Sequence, residues 1–274
     1  MTAGIEGIEF LARSAHRVAV LEALSERPRD RRALRETTGA SSPTVGRILA
    51  AFEDRRWVVR DGPTYALTAL GEYVADRFLT LRDAMEAESK LRDVWRWLPL
   101  EMEGFSVDLF ADAVVSYPGP GYPYEPVQRL SQLISSTTRM RGFDSIVYKS
   151  SNVETACRAV LDGMEFEYVF SPEALEGTFA WNPDRMLEVA ACENATVFVH
   201  DHLPDGDRCG LGIVDERAGI CCHDVETGAL VAVIDTDAPE AREWAVSVFE
   251  RVRAEAAPVD PKSFASADSS GATS

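Results

Sequence analysis

Hydroxyl and guanidinium groups cluster between positions 41 and 60 of this sequence. The segment 41–44 holds three hydroxyls and Pro43, a pattern typical of a capped helix start with proline in its first turn. An apolar stripe at helical spacing follows and consists of Val45, Ile48, Leu49 and Phe52. If that stripe is buried, Pro43, Arg47 and Ala50 lie on the opposite face. We therefore predict a helix that runs to about Asp54 and exposes one arginine among small residues.

The outer face of this helix has the chemistry to read double-stranded DNA. Small residues allow a helix to enter the major groove, where Arg47 can donate two hydrogen bonds to guanine and Ala50 can contact a thymine methyl. The hydroxyls of Ser41, Ser42 and Thr44 lie at the helix start, where hydroxyls and amides contact phosphates. The whole face and the helix start are therefore predicted to contact DNA. The alternative for any single arginine is a solvated side chain.

Shorter elements must position this helix. Apolar spacing predicts one amphipathic helix over 6–25, and Asp30 is a good N-cap for a second helix over 31–38. Gly39 then supplies the turn before the helix described above. The order helix, helix, glycine turn, helix is typical of a helix-turn-helix.

A hairpin is predicted directly after these helices, because two β-rich runs flank the turn residues 61–64. Arg55, Arg56 and Arg60 lie on the approach to this hairpin and at its base. A wing usually lays such residues along phosphates or in the minor groove, so we predict DNA contacts there too. With the hairpin, residues 1–82 are predicted to form a winged helix-turn-helix.

A long helix is predicted over 69–98, because Thr68 can cap it and no proline interrupts it. Its stripe comprises Val74, Phe78, Leu81, Met85, Glu88, Arg92, Trp95 and Leu98. Spacing of this kind is typical of a connector helix that pairs with a copy of itself. The connector and its linker are predicted over 83–104, and the pairing predicts a homodimer. The alternative is that the stripe packs on its own chain.

Helix and strand patterns alternate after Val127 and end in hairpins, which predicts an α/β domain with a mixed sheet over 105–256. The predicted helices are 127–136, 153–161, 172–175, 184–192 and 239–256. The predicted strands are 105–115, 145–148, 166–170, 195–199, 210–215, 220–223 and 229–234. Residues 257–274 are rich in small and polar residues and are predicted to be a disordered tail. The predicted fold class is thus α+β or mixed, a winged helix-turn-helix joined by a long helix to an α/β domain.

The charge distribution favours contact with a polyanion at one end of the chain. The net charge is −17, with 25 arginines and 3 lysines. Residues 1–82 carry 13 arginines against 11 acidic residues, so the negative charge lies in the rest of the chain. An arginine-rich end of an acidic chain is typical of a nucleic-acid contact. The composition is typical of a halophile that accumulates salt, and the alternative is an acidic protein from a GC-rich genome.

Two strand ends of the α/β domain are candidates for binding a small molecule. Ligands of open α/β sheets bind at the carboxyl ends of strands, where helix starts also present amides. The residues predicted to bind there are Tyr148, Lys149, Ser150, Ser151, Phe170 and Ser171. Such groups would suit an anion or a sugar hydroxyl. The alternative is plain helix capping by Ser151 and Ser171.

Cysteine and histidine residues form a loose group that comprises His200, His202, Cys209, Cys221, Cys222 and His223. Soft ligands at this spacing can bind zinc or sense oxidants, but the group contains no C-x-x-C pattern. Cys221 and Cys222 are adjacent, so their side chains are expected on opposite faces of a strand. We therefore predict buried thiols, no metal site and no cofactor.

Several functional classes are disfavoured. No run of about 18 uncharged apolar residues exists, so no membrane contact is expected. The acidic N-terminus does not look like a signal peptide, and the cytoplasm is the expected location. The chain has no Walker-type phosphate loop and no G-x-S-x-G elbow, so no catalytic residues are predicted.

Seven segments carry a family resemblance that spans about 6–255. They are EFLARSAHRVAVLEAL (9–24), DRRALRETTGASSPTVGRIL (30–49), FEDRRWVVRDGPTYALTALGEYVA (52–75), ESKLRDVWRWLP (88–99), EYVFSPEAL (167–175), GLGIVDER (210–217) and ALVAVIDTD (229–237). On these segments the chain resembles the winged-helix regulators of haloarchaea that carry a sensor domain of the methanogenesis-regulator middle-domain type. The resemblance implies a transcription regulator that binds DNA, usually as a dimer, and senses a small molecule. It also implies DNA contacts from Arg31, Arg32, Ser42, Thr44, Arg47 and Arg60.

The rear domain of such regulators resembles the phospholipase-D α/β fold, whose enzymes use an H-x-K-x₄-D string. In this chain Asp201 and His202 follow His200, so an active enzyme is disfavoured. The leading hypothesis is a dimeric, DNA-binding transcriptional regulator that responds to an unknown small-molecule effector. One alternative is a protein–protein interaction module that binds a partner through its winged helix. A second is an enzyme with an unrecognised site.

Overall fold

A computed structural model describes residues 3–146, 150–204, 209–224 and 226–260. By its internal contacts the chain divides into two units, Met1–Glu86 and Ala87–Ser274. None of the helices in the described ranges has the length and apolar character needed to cross a membrane.

The first unit contains five helices and three short strands within its described residues. They are α1 (Ala3–Ala12), α2 (Ala15–Glu26), β1 (Arg29–Asp30), α3 (Arg31–Thr38), α4 (Ser42–Asp54), β2 (Val58–Asp61), β3 (Thr64–Leu67) and α5 (Ala69–Leu91), which runs on into the second unit. The strands form an antiparallel sheet in the order β1-β3-β2. This is the winged helix-turn-helix that the sequence predicts, so the predicted architecture is confirmed.

The local signals in this unit act as expected. The Asp30 carboxylate accepts a hydrogen bond from the amide of Ala33 at 2.7 Å and caps α3, and Gly39 ends that helix in the left-handed region at φ +66°. The Thr68 hydroxyl accepts from the Gly71 amide at the start of α5 and donates to the Arg56 carbonyl. A Cβ at Gly71 would lie 1.9 Å from the carbonyl oxygen of Trp57, so only glycine lets α5 approach the wing this closely.

The single helix predicted over 6–25 is wrong, because the structure divides it into α1 and α2. Ser14 has an extended backbone, with φ −147° and ψ 109°, and its carbonyl accepts the first amides of α2. Leu11 of α1 and Leu21 of α2 are both buried in the same core. Apolar spacing therefore continues across a break in the backbone that it cannot reveal.

The second unit is built on one mixed sheet. Its strands are β4 (Val114–Ser116), β5 (Arg139–Asp144), β6 (Glu165–Phe170), β7 (Ala195–Val199), β8 (Cys209–Val214), β9 (Arg217–His223), β10 (Leu230–Thr236) and β11 (Ala257–Pro258). Its helices are α6 (Glu125–Ser135), α7 (Ser150–Leu161), α8 (Pro172–Trp181), α9 (Pro183–Ala190) and α10 (Pro239–Glu255), with 3₁₀ segments at Arg92–Trp97 and Val107–Phe110. The strand order is β11-β7-β6-β5-β8-β9-β10-β4, in which β5, β6 and β7 are parallel and every other pair is antiparallel. The predicted mixed α/β fold is confirmed.

Helices cover both faces of this sheet. One face packs against α10 and the 3₁₀ segments, with Phe110, Trp244 and Phe249 in its core. The other packs against α6 to α9, with Ile134, Tyr168 and Phe179 in its core. Residues that alternate along one strand, such as Phe143 and Asp144, therefore lie on different sides of the sheet.

Three predicted elements of this unit are wrong in position. The long helix ends at Leu91 instead of Leu98, because the chain tightens into a 3₁₀ segment that still buries Leu91, Val94 and Leu98 in one core. The strand predicted over 105–115 is a 3₁₀ segment followed by the short β4. The helix predicted over 172–175 extends to Trp181.

The strand predicted over 145–148 is β5, six residues earlier in the chain, and 147–149 lie outside the described residues. A hydropathy pattern does not reveal β5, because the strand contains arginines. One of them, Arg141, is half-buried with its guanidinium 5.6 Å from the Phe249 ring. At the other end of the unit, Ala257–Pro258 pair with β7, where the sequence predicts a disordered tail. The rest of that tail, 261–274, lies outside the described residues.

Two arginines hold a buried carboxylate in the second unit. Asp235 on β10 has no solvent exposure. Arg129 of α6 donates to its two oxygens at 2.6 and 2.8 Å, and Arg217 of β9 donates at 2.7 Å. The carboxylate thus ties α6 to the antiparallel half of the sheet.

We expect Asp235→Ala to lower the free energy of unfolding of the second unit by about 3 kcal/mol, because two guanidiniums lose the carboxylate that compensates them. Urea denaturation followed by tryptophan fluorescence measures this, since four of the five tryptophans lie in this unit. Asp237→Ala is the matched control, because exposed Asp237 also pairs with Arg217, at 3.2 Å, and should change stability by no more than about 0.5 kcal/mol. Equal losses in the two variants would contradict this account.

Candidate functional site

Helix α4 has a buried face and an exposed face, as its sequence predicts. Val45, Ile48, Leu49 and Phe52 are all buried in the core of the first unit. Arg47 and Ala50 are exposed on the other side, as are Ser42 and Pro43 at the helix start. The outer face is therefore a row of small residues around one arginine.

The start of α4 is ordered by a local hydrogen-bond pattern. The Ser41 hydroxyl accepts from the Thr44 amide at 3.4 Å and lies 2.9 Å from the Thr44 hydroxyl. The Ser42 hydroxyl forms no hydrogen bond with any residue that the structure describes. Ser41 thus has the capping role, whereas Ser42 is available to an external group.

Within the described ranges, Arg47 makes no hydrogen bond and no ion pair. Its neighbours Gly46 and Ala50 are too small to obstruct its reach. A guanidinium in this position keeps all five donors for an outside partner.

The wing and the start of α3 come together through a strand that the sequence analysis missed. The two-residue β1 pairs with β3, with Arg29 opposite Tyr65 and Asp30 opposite Thr64. Arg31 therefore donates to the Tyr65 hydroxyl at 3.1 Å, and the Arg60 guanidinium lies 5.8 Å from the same ring. The buried tyrosine thus holds two predicted DNA-contact arginines, 29 positions apart in the chain, at the same ring.

The other predicted arginines are engaged within the unit. Arg32 donates to the Glu36 carboxylate at 2.9 Å, and that pairing raises its pKa further above the usual range. The Arg55 guanidinium lies 3.6 Å from the centre of the Phe10 ring and donates to the Ala51 carbonyl. Arg56 has a positive φ of 58°, a conformation set by the turn into the wing, and its side chain is exposed. All six predicted arginines are exposed; Arg31 and Arg60 are held at Tyr65, and Arg47 has no partner among the described residues.

Helix α5 divides the predicted apolar stripe between two environments. Val74 and Phe78 pack against the core of their own unit, as the alternative interpretation holds. Leu81 and Met85 are about half exposed, and Leu70 and Tyr73 extend this exposed strip toward the start of the helix. Positions 70, 73, 81 and 85 lie within about a third of the helix circumference, and the partly buried Val74 lies within the same arc.

The predicted ligand-binding residues of the second unit are only partly described. Tyr148 and Lys149 lie outside the described residues, as does the side chain of Ser150. Ser151 is exposed, and Phe170 is buried in the core. Ser171 caps α8, because its hydroxyl accepts from the Ala174 amide at 3.1 Å, in agreement with the capping alternative.

A buried polar group at the same strand ends was missed by the sequence analysis. Asp144 at the end of β5 and His223 at the end of β9 are buried, with Nε2 of the histidine 3.1 Å from the carboxylate. Buried Asn152, in the first turn of α7, accepts from the Ser131 hydroxyl at 2.6 Å. These residues are far apart in the chain, and no spacing rule connects them.

Four of the five cysteines are buried, and Cys192 is partly exposed. Cys221 and Cys222 belong to the cores on opposite faces of the sheet, as predicted from their adjacency. Burial raises the pKa of the Cys157 thiol to about 11 and raises the pKa of Cys221 well above its usual value, so both thiols stay protonated at neutral pH. Among the residues that the structure describes, no group of three histidine, cysteine or acidic side chains could hold a metal.

Two family models match the chain. Residues 5–90 match the HVO_A0261 N-terminal domain, and residues 123–255 match the middle domain of the methanogenesis regulatory protein FilR1. The chain joins an HVO_A0261 N-terminal domain to a FilR1 middle domain. The resemblance inferred from the sequence is therefore confirmed, and the HVO_A0261 domain contains α4 and the wing.

Solved structures were also compared. TrmBL2, an archaeal chromatin protein, is 11% identical and has a TM-score of 0.42, with 92% of this chain and 98% of that chain covered. Nuc, a phospholipase D family member from Salmonella typhimurium, is 15% identical with a TM-score of 0.43, covering 54% of this chain and 97% of its own. NucT from Helicobacter pylori is 12% identical with a TM-score of 0.43, covering 54% and 98%. The search of curated proteins gave no match.

We expect Ser41→Ala to destabilise α4 by about 1 kcal/mol, because the first-turn amide loses its cap. Amide hydrogen exchange within α4 measures the local opening, which should become about fivefold more frequent. Ser42→Ala is the matched control on the adjacent residue and should leave exchange nearly unchanged. Equal effects of the two substitutions would show that Ser41 does not cap the helix.

Proposed function

We propose that the chain is a DNA-binding transcriptional regulator in which α4 is the recognition helix. The observation that carries this proposal is the exposed face of α4, where Arg47 stands free among small residues and opposite a fully buried stripe. A face of this shape fits the major groove, and a free guanidinium matches the acceptor pair of guanine. Residues 1–82 would be the DNA-binding domain, 83–104 the connector and 105–256 the regulatory domain.

The wing supplies the second half of the proposed interface. Arg60 lies on β2 and Arg31 at the start of α3, and both lie beside Tyr65. Two guanidiniums held at one tyrosine ring can bind phosphates of the DNA backbone, which fixes the register without reading sequence. The near-neutral charge of residues 1–82 in a chain of net charge −17 supports contact with a polyanion at this end.

The FilR1 middle domain supports a regulatory rather than a catalytic second unit, because its family description is that of a regulatory protein. In the proposed mechanism an effector shifts the population of conformations, and the two winged helices of a dimer change their spacing on DNA. The alternative is a winged helix that binds a protein partner. A partner surface would not require the base-specific chemistry of Arg47.

We expect Arg47→Ala to weaken specific DNA binding by about 1–3 kcal/mol and to relax the preference at one base position, because the bidentate contact to guanine is lost. Selection of binding sites from random DNA at high salt, followed by affinity measurement on the selected site, tests this in cytoplasm-like conditions. Arg13→Ala is the control, because it removes one exposed arginine that pairs with Glu9 and lies outside α4 and the wing. An unchanged motif and affinity for the Arg47 variant would mean that α4 is not the reader.

We further propose that the exposed strip of α5, defined by Leu70, Tyr73, Leu81 and Met85, pairs with the same strip of a second chain. Large apolar side chains on one face of a helix are costly in water and self-complementary in a two-fold dimer. A dimer would also present two recognition helices, which a palindromic site requires.

We expect Leu81→Glu to raise the dimer dissociation constant by about tenfold or more, because a carboxylate would be buried in an apolar contact. Sedimentation velocity measures the association. Leu161→Glu is the matched control, since Leu161 is an exposed leucine on α7 that lies outside the strip. Identical association of the wild type and the Leu81 variant would exclude this face as the dimer interface.

A further inference from the structure

The carboxyl end of β5 lies where a ligand of an α/β sheet is expected. The chain leaves β5 through α7 toward β6 on one side, while the opposite neighbour β8 is antiparallel. Strand direction and connection therefore change at the boundary between β5 and β8, and crevices at such points bind ligands. Asp144 occupies this end of β5, and α7 begins six residues later.

A buried carboxylate and imidazole are built into this position. Asp144 accepts from the Ile146 amide at 3.0 Å, and its second oxygen lies 3.1 Å from Nε2 of His223. A Cβ at Gly210 would lie 2.2 Å from that second oxygen, so the glycine makes the space that the carboxylate fills. Residues of β5, β8 and β9 thus pack closely against one another at the strand ends.

Two polar atoms of this region are buried without a partner. They are Nδ1 of His223 and Nδ2 of Asn152, and neither has a hydrogen bond within the described part of the chain. Both residues are at most 1% exposed. Native proteins rarely leave such atoms unsatisfied, and the usual explanation is a water, an ion or a ligand that the polypeptide alone does not supply.

The hydrogen-bond roles of the two atoms select the chemistry of the missing partner. The Asp144 carboxylate accepts only, so His223 donates from Nε2, and in the neutral ring Nδ1 is then an acceptor. Oδ1 of Asn152 accepts from Ser131, so Nδ2 is a donor. A partner of His223 Nδ1 must therefore donate a hydrogen bond, and a partner of Asn152 Nδ2 must accept one.

A hydroxyl group meets both requirements. One hydroxyl can donate to Nδ1, and the same or a neighbouring hydroxyl can accept from Nδ2. A carboxylate has no proton for the neutral ring and would bring a second negative charge beside Asp144. An ammonium group cannot accept from Asn152.

We propose that this end of the sheet, defined by Asp144, Asn152 and His223, binds a small polyhydroxylated molecule through its hydroxyl groups. The proposal that this molecule is the effector rests on the regulatory function proposed above. Asp144 sets the tautomer of His223, and Ser131 orients the amide of Asn152, so both act as positioning residues for the two groups that bind.

The test uses the full chain and a panel of glycerol, ribose, glucose and myo-inositol, with saturation-transfer NMR and calorimetry as readouts. We expect at least one member to bind saturably and Asn152→Leu to weaken it by about tenfold, the loss of one hydrogen bond to a buried donor. Ser135→Ala is the matched control, because it removes a hydroxyl one turn further along α6 that donates to the Gln132 carbonyl instead of Asn152, and it should bind within about threefold of the wild type.

A second readout does not depend on the stability of a variant. In protein labelled with ¹⁵N-histidine, the bound polyol should shift the Nδ1 resonance of His223, which His223→Gln identifies among the four histidines. No saturable binding by any panel member, equal binding by Asn152→Leu, or a high-resolution structure with one ordered water on both atoms would each overturn the proposal.

Parallel DNA-binding measurements separate this site from the proposed function. A polyol that binds through Asn152 without changing DNA affinity would support the site and refute its role as effector site. A DNA preference that is unchanged in the Arg47→Ala variant would refute the recognition helix and leave the polyol site standing.

Discussion

Burial of one face of α4 is the constraint on which the proposed interface depends. Val45, Ile48 and Phe52 are fixed in the core of the first unit, and a helix of 3.6 residues per turn must then send Arg47 outward. The helix has no freedom to rotate, because a rotation of one residue would expose the stripe and bury a charge. Burial of the apolar stripe thus sets the direction of the Arg47 guanidinium without contacting it.

Most of the predicted arginines around α4 make contacts within their own unit. Arg55 lies against Phe10 and donates to the Ala51 carbonyl, Arg32 pairs with Glu36, and Arg60 donates to the Gly62 carbonyl. Arg31 and Arg60 are held beside Tyr65 but remain exposed. In the proposed complex with DNA, a few ordered cations would act where a basic surface is absent.

The second unit buries polar groups within an apolar sheet. Asp235 is satisfied completely by Arg129 and Arg217, whereas His223 and Asn152 each keep one unsatisfied atom. Full satisfaction is typical of a structural role, and partial satisfaction is typical of a site that awaits a partner. The two buried clusters therefore have different roles although both contain a carboxylate.

Local signals determined much of this protein from the sequence alone. The cap at Asp30, the glycine at position 39, the proline start of α4 and the stripe of α4 depend on neighbours within one or two turns, and a sequence displays such neighbours directly. The alternation of helices and strands in the second unit is likewise local, and it gave the mixed α/β class.

Only the tertiary structure decided what depends on residues far apart in the chain. The pairing of β1 with β3, the break at Ser14 and the position of β5 all depend on contacts between elements that hydropathy spacing within one element does not reveal. The contact of Asp144 with His223 joins residues 79 positions apart and has no local signature. Sequence thus specified which face of α4 points outward, because that choice needs only a helical period, while the polar strand ends needed the folded sheet to bring them together.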